Sequence, residues 1–492
     1  MKKFNLCMLH VLCSVIVLLG VTGAKVFAED NQPSMMDLIN EAKYQAVESD
    51  KPKSAILIDG NTGKFLWGEN EETPHNPASI MKLMTIYLTY EAMEKGKFTM
   101  DTMVEATQRH QQIANIYEIS NNKIVAGVSY PVKELLPMAL VPSSNVATMM
   151  LAELVEPDAV KFLGLMNDKA KELGMNNTKI VNATGAEISA FQGLYANEGV
   201  DTSSLDTTGS NETTAKDFSI FTYNLLKNFP QILEYTSKPT VTVMKDTPNE
   251  ETFETYNYSI PSAGKTYEDV DKDYSFEGVD GLKTGSSPSG AFNIDITAKR
   301  DDLRLIAIVF GVGDWSDQTG EYKRHPFANA ILNYGFNHFE YKELVKKGEQ
   351  TIDEKDINVL EPLLDVVKKD STSKILLNDN KTLMVENSLK PVSEKIQPIS
   401  VKYEEEEKDI VTTTKKHTNK LKDKSVGFIS SLTKSIDLSN PFIKGAVILF
   451  GSIFLLLILL IGLLIRSNRK RKKARLNRRK RFEEKNDQIG GN

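Results

Sequence analysis

The chain has 492 residues, 40% hydrophobic and 26% charged, enough for one large core and a smaller module once non-globular ends are allowed for. Its formal net charge of −6 conceals eleven Lys and Arg between residues 466 and 481 and an acidic run from Glu404 to Glu407, so the average charge defines no partner. The only two cysteines, Cys7 and Cys13, fall within the first 28 residues; once those are removed, disulfides, thiol catalysis and thiolate metal sites are excluded together.

In chain order, Lys2 and Lys3 precede an apolar stretch to about Val21, and Val26 and Ala28 supply the small residues of a cleavage site. Residues 1–28 therefore read as a secretory signal peptide, with an uncleaved anchor as the competing reading. SAILI (54–58) and KFLW (64–67) flank a D-G-N-T-G turn, the pattern of a hairpin. A helix follows from about Ser79 to Lys95, and helical periodicity resumes over 132–155, 158–173 and about 215–235. The Gly, Ser, Thr and Asn stretch at 192–214 reads as a loop or insertion. Then come FEGVDGLKTGSS, AFNIDITA and LRLIAIVFGVG as strands, the last two joined by a K-R-D-D turn, and a helix at about 321–338. A hairpin first, helices in the middle and strands last predict an α+β fold whose antiparallel sheet joins the two ends of this region.

Beyond it, SKILL, KTLMV and QPISVKY suggest a small β-rich domain at 341–403, and 404–444 reads as a charged, Thr-rich stalk. Residues 445–465 carry no charge and would span about 31 Å as a helix, enough to cross a bilayer. The basic tail 466–492 then stays cytoplasmic by the positive-inside rule, which places residues 29–340 outside the cell on a single-pass anchor. Directly behind a membrane span, a basic tail is better explained this way than as a nucleic-acid arm.

Within PASIMKLMT, Ser79 and Lys82 stand three apart, one helical face apart in reach, which suits a nucleophile and its base. The lysine acts as a base only if burial or a neighbouring cation lowers its pKa. The pair fits equally well a helix N-cap with Lys82 snorkelling to solvent. Two further motifs shift that balance: Ser143-Ser144-Asn145 after Pro142 gives S-x-N, and Lys283-Thr284-Gly285 gives K-T-G. This trio, in this order, resembles the signature of penicillin-binding proteins and serine β-lactamases.

SAILIDGNTGKFLW, NPASIMKLMTIYLTYEAMEKGK, FLGLMNDKAKELGMNNTKIVNATGAE and VDGLKTGSS further resemble the low-molecular-mass penicillin-binding proteins of the D-alanyl-D-alanine carboxypeptidase family, over about residues 35–340. The resemblance is to Gram-positive members with a C-terminal membrane span. It implies a transpeptidase-like antiparallel sheet flanked by helices, with a helical subdomain. It further implies Ser79 as the acylated nucleophile, Lys82 as its base and Ser143 as a proton relay to the leaving amine. Asn145 would hold Lys82 and a substrate amide. Lys283 would keep Lys82 neutral and attract the substrate carboxylate, and Thr284 would hydrogen-bond that carboxylate. Gly285 would let the acyl chain lie close, and the N–H groups of Ser79 and Ser286 would form the oxyanion hole. Glu187 matches a segment near the site and reads equally as a solvated turn carboxylate. The substrates implied are peptidoglycan stem peptides ending in D-Ala-D-Ala, with β-lactams as acylating mimics and no metal or organic cofactor.

Alternatives are weaker. The histidines (10, 75, 110, 325, 338 and 417) accompany neither G-x-S-x-G nor H-E-x-x-H. A β-lactamase calls for a hydrolytic Glu in E-x-x-L-N; Glu156-Pro157 is the nearest look-alike and lacks the Asn. A penicillin-binding sensor needs an output domain, and only 27 residues follow Ile465. Water or an amine as acyl acceptor, giving carboxypeptidase or transpeptidase action, stays open.

Overall fold

The stretch SAILID is apolar almost without interruption because its strand, Ser54–Asp59, is covered on both faces. In the computed structural model, which describes residues 32–261, 273–386 and 388–405, this strand lies between its hairpin partner Phe65–Glu69 and the strand Leu303–Val312. Ala291–Arg300 and Val279–Ser287 complete a five-stranded antiparallel sheet, so the ends of the large domain close on each other as expected. The expected signal peptide 1–28, membrane span 445–465 and tail 466–492 lie outside the described residues, as does all of the expected stalk beyond Glu405. Among the described residues no helix is long and apolar enough to cross a membrane.

Alternation along the strands feeds two cores. Ile56, Ile58, Ile306 and Ile308 face the helical subdomain, whereas Ala55, Leu57, Ala307 and Val309 face the helix Gly320–His338 and a short N-terminal helix, Met35–Glu41. The short helix was not expected; a Ser34/Asp37 capping box starts it, and Met35, Leu38 and Ile39 bury its face. The helical subdomain centres on Lys82–Glu94, which is buried nearly all round, as an apolar run with little periodicity requires. Around it pack Val132–Leu140, Asn145–Val155, Ala159–Leu173 and Ala215–Asn228. The predicted 132–155 helix is thus two helices, broken at Val141–Ser144, where Pro142 cannot donate to a continuing helix. Ser144 restarts it as N-cap, accepting from Ala147 N at 3.2 Å.

The C-terminal module is β-rich, as predicted. Phe339–Val345 leaves the preceding helix directly and pairs with Leu363–Lys368. A second five-stranded sheet, ordered Gly348–Ile352, Lys355–Val359, Val401–Glu405, Thr382–Val385 and Ile375–Leu377, has its own small core of Val345, Ile357, Val359, Leu363, Leu383, Val385 and Tyr403. Its last strand runs two residues into the segment expected as stalk. The module is fastened to the first hairpin: Phe65 N donates to Lys390 O, Val392 N donates to Gly63 O, and Lys64 Nζ lies 2.6 and 2.5 Å from the two carboxylate oxygens of Asp365. Both charged side chains are 1% exposed.

Breaking a buried pair leaves a desolvated charge, whereas removing both members leaves none. Lys64→Met alone is expected to lower the unfolding free energy by about 3–5 kcal/mol, and Lys64→Met with Asp365→Leu to recover most of it, as read by urea denaturation at pH 7.

Candidate active site

Ser79 does not open an α-helix. It sits on a 3₁₀ turn, Ala78–Met81, and the α-helix begins at Lys82. The tighter turn follows from its entry: Asn76 Oδ1 accepts from Ala78 N at 2.9 Å, and Ala78 takes a φ of 50°, a left-handed conformation that a side-chain-bearing residue adopts only when its surroundings hold it there. Gly185 packs on this spot so closely that a Cβ there would lie 1.9 Å from Ala78 O. Ser79 is therefore placed by backbone contacts on both sides.

Lys82 is fully buried. Its Nζ lies 2.9 Å from Ser79 Oγ and donates to Thr184 O at 2.8 Å. The snorkelling alternative fails on the burial, and the N-cap alternative fails because the helix makes no side-chain cap bond. Burial, reinforced by the charge of Lys283, drives the Lys82 amine well below the ordinary lysine pKa.

The K-T-G segment lies in Val279–Ser287, the edge strand of the central sheet, alongside the Ser79 turn. Gly285 permits the approach: a Cβ there would come within 2.6 Å of Pro77 O and 3.0 Å of Ser79 N. Asn76 Nδ2 donates to Ser287 Oγ at 3.2 Å, and Asn293 Nδ2 donates to Asn76 O at 3.0 Å, tying turn to sheet. Lys283, also buried, donates to Thr284 O at 2.9 Å, and burial with the neighbouring Arg324 charge lowers its pKa to about 7.

On the helical side, Ser143 occupies the Val141–Ser144 break with a φ of 62°, and its buried Oγ has no hydrogen-bond partner. Asn145 N and Nδ2 both donate to Ser120 O at 2.8 Å, while its buried Oδ1 is unpartnered. The expected hydrogen bond from Asn145 to Lys82 is not made; the Thr184 carbonyl takes that place. Two buried polar atoms without partners facing one cleft are acceptors or donors left for a ligand.

Ser79, Ser143, Asn145, Thr284, Gly285 and Ser286 line a cleft of about 490 Å³ together with Ile119, Tyr256, Phe292 and Trp315, whereas Lys82 and Lys283 are buried and do not line it. Glu187 stands on its rim, accepting from Ser210 Oγ at 3.2 Å. Sequence reasoning missed Arg324. It comes from the first turns of Gly320–His338, is 1% exposed, and donates through Nη1 to Ser286 Oγ at 3.0 Å. Nothing in the local sequence EYKRHPF marks it; only closure of the sheet brings it to the K-T-G strand. The site thus offers a hydroxyl beside a buried amine, an open strand edge and a cationic end formed by Lys283 and Arg324. Among the described residues no group of three His, Cys, Asp or Glu side chains is arranged around a metal position.

Residues 41–314 match the model of the D-alanyl-D-alanine carboxypeptidase family, and residues 341–404 match a domain of unknown function (DUF1958). Among known proteins, the D-alanyl-D-alanine carboxypeptidase DacF of Bacillus subtilis is 27% identical over 390 residues, 74% of this chain and 83% of that protein. DacA of Escherichia coli, named the same activity, is 26% identical over 61% of this chain and 64% of its own length. Among solved structures, a peptidoglycan synthesis regulatory factor (PBP3) from Streptococcus pneumoniae superposes with a TM-score of 0.60 at 26% identity, covering 72% of this chain and 99% of that one. Penicillin binding protein 5 of Haemophilus influenzae, at 19% identity and a TM-score of 0.53 over 73% of this chain and 98% of its own, shares the fold.

The buried Lys283 amine has a sign-definite effect on stability. Its folded pKa of about 7 lies below the unfolded value, so its charge destabilises the fold fully below pH 7, and the penalty fades as pH rises toward 10.5. Lys283→Met is expected to melt several degrees above the wild type at pH 7, with the gap narrowing between pH 7 and 10 in thermal scans.

Proposed function

Since the chain belongs to the D-alanyl-D-alanine carboxypeptidase family, we propose that Ser79 attacks the peptide bond between the two terminal D-alanines of a peptidoglycan stem peptide, forming an acyl-enzyme that water then releases. The observation that carries this reading is the 2.9 Å contact between Ser79 Oγ and a fully buried amine whose pKa burial drives well below the ordinary lysine value. A neutral Lys82 has a lone pair for the serine proton, which a snorkelling ammonium lacks.

Attack turns the carbonyl into an oxyanion, which the N–H groups of Ser79 and Ser286 receive. The proton taken by Lys82 passes through Ser143 to the amine of the departing D-alanine, a role supported by the unpartnered Ser143 Oγ. The terminal carboxylate is held by Thr284, Lys283 and the guanidinium of Arg324, and Asn145 Oδ1, also unpartnered, accepts from a substrate amide. Glu187, at the rim, contacts the more distant part of the stem peptide. A β-lactam presents the same carbonyl and carboxylate and acylates the same serine. Water as acceptor gives a shortened stem; an amine of a second stem in its place gives a cross-link.

The sequence adds where this occurs. Residues 1–28 export the chain, 445–465 anchor it in the cell membrane, and 466–492 remain in the cytoplasm, so hydrolysis takes place on the wall side.

Mass spectrometry of muropeptides carrying pentapeptide stems, incubated with the full chain, tests the reaction. Tetrapeptide and free D-alanine are expected, with neither from Ser79→Ala; intact substrate with the wild type, or equal activity in the variant, refutes the mechanism. Gly285→Ala, whose Cβ meets Pro77 O and Ser79 N, is expected to slow Ser79 acylation by a fluorescent penicillin by about 100-fold or more.

A further inference from the structure

The segment 192–214, which reads as a loop, holds one wall of the active site. We propose that Tyr195 and Asn211 are positioning residues that aim Lys82 at Ser79 by fixing the Thr184 carbonyl; the proposal rests on Ser79 being the acylated residue.

A neutral lysine has two N–H bonds and one lone pair. If one N–H is committed to Thr184 O, rotation about the last carbon–nitrogen bond is restricted, and the lone pair can be directed to Ser79 Oγ. The position of one backbone carbonyl therefore sets the direction of the base. That carbonyl belongs to residues 181–185, which form neither helix nor strand. Their backbone groups are satisfied by side chains instead. Asn211 Oδ1 accepts from Val181 N at 2.8 Å and Asn182 N at 3.0 Å, and Asn211 Nδ2 donates to Asn182 O at 3.0 Å. Tyr195 Oη accepts from Ala183 N at 2.8 Å, directly before Thr184. Asn211 and Tyr195 are 1% and 3% exposed, so water cannot substitute for them.

Residues 212–213 extend the same support to the nucleophile. Glu212 exchanges backbone hydrogen bonds with Lys179, and Thr213 does so with His75, four residues before Ser79. The segment carrying Lys82's acceptor and the segment carrying Ser79, already in contact through Gly185 and Ala78, are thus also tied to one common support. Arg109 Nη1, donating to Leu194 O at 2.6 Å, secures the turn that carries Tyr195.

Stopped-flow acylation of the full chain by a fluorescent penicillin separates the non-covalent dissociation constant from the first-order acylation constant. Tyr195→Phe removes only the hydroxyl and keeps the ring packed edge-on to Phe191. It is expected to lower the acylation constant by at least about fivefold with the dissociation constant within about twofold of wild type, and Asn211→Ala to do so more strongly. An unchanged acylation constant in folded Tyr195→Phe, or parallel loss of binding and acylation, overturns the proposal. Should Asn211→Ala fail to fold, Tyr195→Phe decides alone. A wild type that does not acylate refutes the assignment of Ser79 and this proposal with it; a reactive wild type matched by Tyr195→Phe refutes the positioning role only.

Discussion

An amine shut away from water is the condition on which the rest of the structure depends. Among the described residues Lys82 has no carboxylate to neutralise it, only a hydroxyl and a carbonyl, and a buried ammonium without a counterion is disfavoured by several kcal/mol. The protonation state with a free lone pair is thereby preferred. Lys283, buried in the adjoining strand, adds repulsion from the same side. Keeping Lys82 dry requires a helix covered on nearly every face, which explains why Lys82–Glu94 runs through the middle of the helical subdomain rather than along its surface.

Dryness alone does not align atoms. Three chain segments meet at Ser79: its own 3₁₀ turn, the K-T-G strand and the stretch around Thr184. The K-T-G strand, through Gly285, and the Thr184 stretch, through Gly185, each approach the Ser79 turn more closely than a methyl group would allow. The left-handed backbone at Ala78 is the local sign of the same crowding, because such conformations persist only where neighbouring structure dictates them. The amide side chains of Asn76, Asn293 and Asn211 then do the joining, spanning gaps too irregular for a regular strand pair.

Much of this was legible in the sequence. Strands buried on both faces announce themselves as SAILID and LRLIAIVF, and the three motifs named Ser79, Ser143, Asn145, Thr284 and Gly285, which line one cleft, and the two buried lysines Lys82 and Lys283, which do not line it. What escaped notice has physical reasons. The partner of Lys82 is a backbone carbonyl, which has no signature in a sequence of side chains. Arg324 is distant from the K-T-G strand along the chain and becomes its neighbour only when the last helix folds back. The 3₁₀ start at Ser79 follows from the Asn76 and Gly185 contacts rather than from any helix propensity, and the split of 132–155 was hinted at by Pro142 alone. The Ser34/Asp37 box of the first helix was readable and was overlooked.

The Lys64–Asp365 pair constrains how the C-terminal module can be inherited or exchanged. The module has its own core and looks transferable, yet its carboxylate completes a lysine in the turn of the first hairpin. A recombination that imported a different module, or dropped this one, would strand an amine inside the large domain unless position 64 changed in the same lineage. Two residues 301 positions apart in sequence are in this sense a single unit of variation, and the gene segments that encode them are free to diverge only together.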